Sequence, residues 1–146
     1  MAFVLIRKAD KADQSNLIPL LAELGYQISE EDFEIQANTY INSDECGLLV
    51  AQTEDGTLSG FIAGHLFPLI HQPGNAGRIM ALVVGEKFQS QGVGSALLES
   101  LESWFRENEC KRFEVNSGDH RQEAHEFYQS KGYRVDERRF VKSDAT

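Results

Sequence analysis

Gln89-Ser90-Gln91-Gly92-Val93-Gly94 lies between a short apolar run, Ile79-Met80-Ala81-Leu82-Val83-Val84, and a stretch with helical apolar spacing that begins near Ser95. That order predicts a strand, a glycine-containing turn and a helix N-terminus. The first backbone N–H groups of a helix have no intrahelical partners and carry about half a positive charge from the aligned peptide dipoles. Glycines let an anion come close to those amides. The chemistry on offer is the binding of a diphosphate, and with it a phosphate-bearing cofactor. Gly94 is followed by Ser95-Ala96-Leu97, so the turn lacks both the Gly-Lys-Ser/Thr ending of a nucleoside-triphosphate loop and the third glycine of a dinucleotide fold. A turn that merely joins strand to helix is the plainer alternative.

Further along, Ala124-His125-Glu126-Phe127-Tyr128 is followed by Gly132-Tyr133. Taken alone, Phe127 and Tyr128 read as an aromatic pair on the buried side of an amphipathic helix. Glu114, His65 and His71 are other side chains able to move a proton, and each reads more readily as solvated or structurally bonded. Cys46 and Cys110 share no metal-ligand spacing with the four histidines, so no metal site is expected and both thiols are read as reduced.

The elements that must position these residues follow from periodicity and breakers. Residues 2–8 read as a first strand. Leu17, Leu20, Leu21 and Leu24 fall at helical spacing, with Asp10 or Asp13 as a cap and Gly25 as a stop. Ser29, with Asp32 three residues on, resembles a capping box that opens a second helix through Phe33, Ala37, Tyr40 and Ile41. Strands over 48–52 and 58–67 flank the hairpin signal Glu54-Asp55-Gly56-Thr57. A loop over 68–77 leads into a strand over 78–84, apolar after its first residue as a central, doubly covered strand should be. After the glycine turn, Leu97, Leu98, Leu101, Trp104 and Phe105 form one stripe of a long helix ending near Cys110. A strand over 112–116, a helix over 122–131 stopped by Gly132, and a last strand over 134–141 complete an α/β order of β-α-α-β-β-β-α-β-α-β.

At 146 residues, 41% apolar and 25% charged, the chain is expected to form one domain over residues 1–146 with a sizeable core. The longest uncharged stretch, 58–77, is interrupted by His, Pro, Asn and Gly, and no signal peptide is read before Arg7-Lys8. A cytoplasmic protein without a membrane partner is the expectation. A net charge of −9, from 14 basic and 23 acidic residues, argues against a nucleic-acid partner and favours a cationic acceptor such as an amine. The same acidity also serves solubility.

Two of these segments carry a family resemblance. Gln89, Gly92 and Gly94 match the Gln/Arg-x-x-Gly-x-Gly/Ala signature of the GNAT N-acetyltransferases, and 124–133 resembles that family's A-x-x-F-Y-x-x-x-G-F/Y segment. The order and spacing of the two agree, and the element order is the family's. The resemblance is strongest from about Arg78 to Val141. It implies a mixed, mostly antiparallel sheet of six or seven strands flanked by about four helices, and a bulged strand that splays from its neighbour to receive a pantetheine arm. By resemblance, Leu82, Val83 and Val84 offer main-chain groups to the pantetheine and acetyl carbonyl of acetyl-CoA. Gln89, Ser90, Gln91, Gly92, Val93, Gly94 and Ser95 hold the pyrophosphate.

Acetyl transfer to an amine needs a neutral nucleophile, stabilisation of an oxyanion, and a proton for the departing thiolate. Backbone N–H groups near Val84 are candidates for the second. Tyr128 is the candidate acid, because it occupies the family position whose phenol lies near the thioester sulfur; a phenol titrates near ~10 and a thiol near ~8.5, so the phenol stays able to donate. Many relatives carry a glutamate directly before the Leu-Val-Val triplet, and this chain has Ala81 there. Glu114, His65, His71 or a water chain must then serve as base, with Glu114 preferred. Arg121 stands where many relatives have an asparagine, and could reach a phosphate or simply start the helix in solvent.

His71, Gly118-Asp119-His120-Arg121 and Arg139-Phe140-Val141-Lys142 further resemble small-molecule acetylases of the aminoalkylphosphonate N-acetyltransferase kind. A small primary amine is therefore the expected acceptor. Two alternatives stay open: a noncatalytic acyl-CoA-binding regulatory module, favoured by Ala81, and a protein N-terminal or lysine acetylase. Relatives often pair, and the last strand offers an edge for a homodimer.

Overall fold

In the computed structural model, which describes residues 4–116, 122–136 and 139–144, the N-terminal third is shaped by caps. The Asp10 side chain accepts from Ala12 N–H, and Asp13 reaches back to Asp10 N–H, so a reciprocal capping box opens a 3-10 turn, Lys11–Asp13. Helix α1, Gln14–Glu23, follows directly. Ser29 caps helix α2, Glu30–Asn42, by accepting from Asp32 N–H at 3.0 Å. Asp13 is buried and also anchors the first strand. The Arg7 guanidinium donates to both its oxygens, at 2.8 and 2.9 Å, which holds its carboxyl below the usual carboxylate range.

Five strands form one sheet in the order β1 (Leu5–Lys8), β2 (Cys46–Gln52), β3 (Leu58–Pro68), β4 (Asn75–Val84) and β5 (Cys110–Val115). The first three pairings are antiparallel, and β4 with β5 is parallel. Because side chains alternate across a strand, β3 divides its residues cleanly. Phe61 and Ala63 join Leu48, Val50 and Val83 beneath Leu17 and Leu20 of α1 and Phe33 and Ala37 of α2. Gly60 and Gly64 face the other way, toward helix α3, Val93–Glu107.

That second face is floored with glycine. A Cβ on Gly47, Gly64 or Gly77 would lie 3.0, 2.9 or 2.5 Å from Trp104, Leu101 or Phe105, so these side chains rest on bare backbone of β2, β3 and β4. Leu97, Leu98, Leu101 and Phe105 are fully buried there. The chain divides into two compact units, Met1–Val115 and Asn116–Thr146. In the second, helix α4 (Gln122–Ser130) ends where Tyr133 N–H donates to Tyr128 O at 3.0 Å and Gly132 takes φ +95°.

The structure corrects several expectations. The sheet has five strands among the described residues, not six or seven. The last strand expected over 134–141 is absent from 134–136 and 139–141, with 137–138 outside the described residues. Charges at Arg134, Asp136 and Arg139 interrupt any apolar face there, and Val135, Phe140 and Val141 are exposed. Strand β4 starts at Asn75 rather than Arg78, because Asn75 N–H and its side-chain amide bond to Glu109 O and Asn108 O. Met80 on β4 is 48% exposed, so that strand is not covered on both faces throughout. Helix α3 starts at Val93, two residues before Ser95.

Candidate functional site

The site begins where the sheet stops being regular. On its β3 side, β4 is paired along its length, but Ala63 meets Ala81 while Gly64 meets Ile79, so Met80 is an extra residue in β4. This is a bulge, which bends the strand that carries it. On its other side, β4 pairs with β5 only from Asn75↔Cys110 to Ile79↔Val115. From the bulge onward, Met80–Val84 has no ladder partner on that side among the described residues. Leu82, Val83 and Val84 remain paired to Ile62, Phe61 and Gly60, so every other residue of this half-strand turns its N–H and C=O toward the open edge.

The turn after β4 is held by short contacts. Gly85 N–H donates to Ser59 O at 2.8 Å, and Glu86 N–H donates to the carboxylate of Glu23, at the end of α1, at 2.9 Å. A 3-10 turn over Glu86–Phe88 follows. The Gln89 side chain reaches back to Val84 O at 3.4 Å, and the Gln91 side chain donates to Lys87 O at 3.1 Å. Ser90 and Gly92 both take positive φ, 64° and 85°. At Gly92 an added Cβ would meet nothing within 4 Å, so glycine is there for its backbone angle and not for lack of room.

Gly92 is the N-cap of α3 and has no side-chain cap, and the first turn holds no acidic residue. The first bond that closes is Ala96 N–H to Gly92 O at 3.0 Å, so the amides of Val93, Gly94 and Ser95 have no intrahelical acceptor. Uncapped donors, a positive helix end and open space over Gly92 fit a diphosphate. The neighbouring open edge of β4 fits an amide-bearing chain such as pantetheine. Gln89, Ser90, Gln91, Gly92, Val93, Gly94 and Ser95 are thus brought together in one unit with Leu82, Val83 and Val84.

Glu114 lies in the same unit, one residue before the end of the β4–β5 ladder and directly across from Arg78. Nε of Arg78 donates to its Oε1 at 2.7 Å, with a further contact from Nη2, and Nε of Arg112 donates to Oε2 at 3.2 Å. The Arg78 guanidinium also lies 4.7 Å from the centre of the Phe67 ring, on which His65 stacks at 5.8 Å. His71 is exposed in the loop between β3 and β4. Tyr128 belongs to the second unit, half-buried on α4, where its ring meets Phe127 at 5.3 Å and Tyr133 at 5.6 Å. Arg121, like 118–120, lies outside the described residues.

The sequence profile of the Acetyltransferase (GNAT) family matches residues 16–133, across both units. The chain belongs to the GNAT acetyltransferase family. Aminoalkylphosphonate N-acetyltransferase of Salmonella typhimurium strain LT2 is 32% identical over 89 residues, 61% of this chain and 58% of that protein. The match thus spans a little over half of that relative's length. A GNAT family acetyltransferase of Staphylococcus aureus subsp. aureus USA300_TCH1516 is 25% identical, with a TM-score of 0.80 over 98% of this chain and 99% of that one. AAC(6')-Iy, solved with the bisubstrate analogue CoA-S-monomethyl-acetylneamine, shares the GNAT fold at a TM-score of 0.86 and 14% identity, over 99% and 100% of the chains.

The bulge in β4 is the one that the family resemblance implied, and strand register places it at Met80. Two features of this GNAT chain escape a reading of the sequence. Phe67 and Arg112 join Arg78 and Glu114 only through strand register. The alternation Phe61, Ala63, His65, Phe67 does mark one face of β3, and could have placed Phe67 beside His65 on it.

Proposed function

We propose that the two units form one acetyltransferase domain that moves an acetyl group from acetyl-CoA to the primary amine of a small molecule. The observation that carries this reading is the open half of β4 beside the uncapped start of α3. The Salmonella relative is named for an aminoalkylphosphonate, and the AAC(6')-Iy structure holds a CoA-based bisubstrate analogue; both support a small amine and a CoA thioester here. Bound acetyl-CoA supplies an acyl group activated as a thioester. The amides of Val93–Ser95 bind its diphosphate, and the open groups of Leu82–Val84 align the pantetheine and polarise the acyl carbonyl. Glu114 takes the amine's proton through Oε2, whose contact to Arg112 is longer than that of Oε1 to Arg78. Tyr128 is proposed as the proton donor to the thiolate on its family position alone, and Arg121 as a further phosphate ligand.

The test is thiol release on mixing the protein with acetyl-CoA and an amine panel. The reading expects release that Tyr128→Phe slows by about a hundredfold, within the range for general acids, while cofactor affinity holds. A second reading, a noncatalytic acyl-CoA-binding module, is favoured by Ala81, an alanine packed against the core where a carboxylate would serve as base. Tight acetyl-CoA binding with no thiol release across the panel would select it.

A further inference from the structure

We infer that Glu23, the last residue of α1, is a positioning residue for coenzyme A: its carboxylate caps the turn that leads into α3 and so holds the diphosphate site in its binding shape. This rests on the reading above that the start of α3 takes the diphosphate. Glu86 N–H donates to Glu23 Oε2 at 2.9 Å, across 63 residues of sequence. That bond opens the 3-10 turn Glu86–Phe88, whose own N-cap, Gly85, has no side chain to offer. A helix start ordinarily draws its cap from the N-cap side chain. Here the oxygen comes from another element.

Two features of α1 point to that task. A helix C-terminus carries partial negative charge and favours cations, yet α1 has no basic residue in its last turn and ends on a carboxylate. Glu23 is thus set against its own helix, and the amide of Glu86 is what it gains. Leu20, one turn earlier on the same side of α1, touches the same segment: a Cβ on Gly85 would lie 3.0 Å from its Cδ2. Leu20 is buried in the core, so the turn rests on a fixed support and is tied to it by a polar bond.

From there the contacts run on to the anion site. Phe88 N–H closes the turn on Gly85 O at 2.9 Å, Lys87 O accepts from the Gln91 side chain at 3.1 Å, and Gly92 follows as the N-cap of α3. The charge of Glu23 opposes a bound diphosphate, whereas its hydrogen bond favours the shape that binds one. The two effects have opposite signs, which lets an experiment separate them.

Calorimetric titration with coenzyme A, of the unsubstituted protein and of Glu23→Gln, Glu23→Ala and Ser29→Ala, makes that separation without needing turnover. Glutamine keeps an acceptor oxygen and drops the charge, so affinity should hold or rise. Alanine removes the acceptor, and affinity should fall about fivefold or more, within the range for a lost hydrogen bond to a charged group. Ser29→Ala removes the cap of α2, a bond in which the turn takes no part, and should lower stability while leaving affinity as it is. Unchanged or higher affinity in Glu23→Ala, an equal fall in Glu23→Gln, or an equal fall in Ser29→Ala would each overturn the inference. No binding of coenzyme A by the unsubstituted protein removes the proposed function, and this inference with it.

Discussion

The two halves of β4 belong to one strand and do opposite things. Asn75–Ile79 is paired on both sides and lies under Phe105, so its backbone is consumed by the sheet. Ala81–Val84 is paired on one side only among the described residues, and its remaining N–H and C=O groups face an open edge. One inserted residue separates them. The lesson is that this candidate site is made by ending a ladder in mid-strand, which frees main-chain groups without exposing a whole strand edge to aggregation.

The largest effect should come from the closed half. Phe105 is fully buried on Gly77, and Phe105→Ala should cost about 3–5 kcal/mol of stability, read as a drop in denaturant midpoint. Gly77→Ala should also destabilise, by about 1–3 kcal/mol of overpacking, and the double variant should be more stable than the sum of the two predicts, since the smaller side chain removes the clash.

Deleting Met80 breaks the comparison itself. Ile79 and Ala81 already pair with Gly64 and Ala63, so the deletion restores a regular ladder with every side chain on its present face. Thermal stability should hold or rise while acetyl-CoA affinity falls by about tenfold or more, equal to about 1.4 kcal/mol; unchanged affinity would show that the bulge is incidental. Gly92→Ala is a milder change in the same direction. A Cβ at φ +85° costs about 1–2 kcal/mol in a region closed to most L-residues, and the amides of α3 should shift with it.

The smallest effect belongs to a contact remote from β4. Asp13 has its carboxyl lowered by the hydrogen bonds from Arg7. A depressed folded value means that this stabilisation is complete above the unfolded value near ~3.9 and is lost as pH falls through the folded one. Asp13→Asn should therefore flatten the acid limb of the stability curve below about pH 4, leaving acetyl-CoA affinity unaltered at neutral pH.

What could be read in the chain was local. Asp10 and Ser29 cap helices through bonds that span three residues or fewer, and the turn at Gly92 needs an angle that glycine alone adopts easily. The dependent features were illegible for a matching reason. Resemblance implied a bulge in this strand but not its residue, since the apolar run has no alternation to slip, and the Arg78–Glu114–Arg112 cluster joins residues 36 apart that only register makes neighbours. Gly47, Gly64 and Gly77 look like weak points of three strands until Trp104, Leu101 and Phe105 are seen resting on them.

That glycine floor bears on how the molecule should respond to stress. At three points beneath α3, Gly47, Gly64 and Gly77, ring and methyl groups sit directly on main chain with no strand side chain between. Hydrostatic pressure or modest warming therefore has little slack to take up in this joint, and the spacing between the amides at the helix start and the free half of β4 should stay constant while the polar margins of the domain loosen.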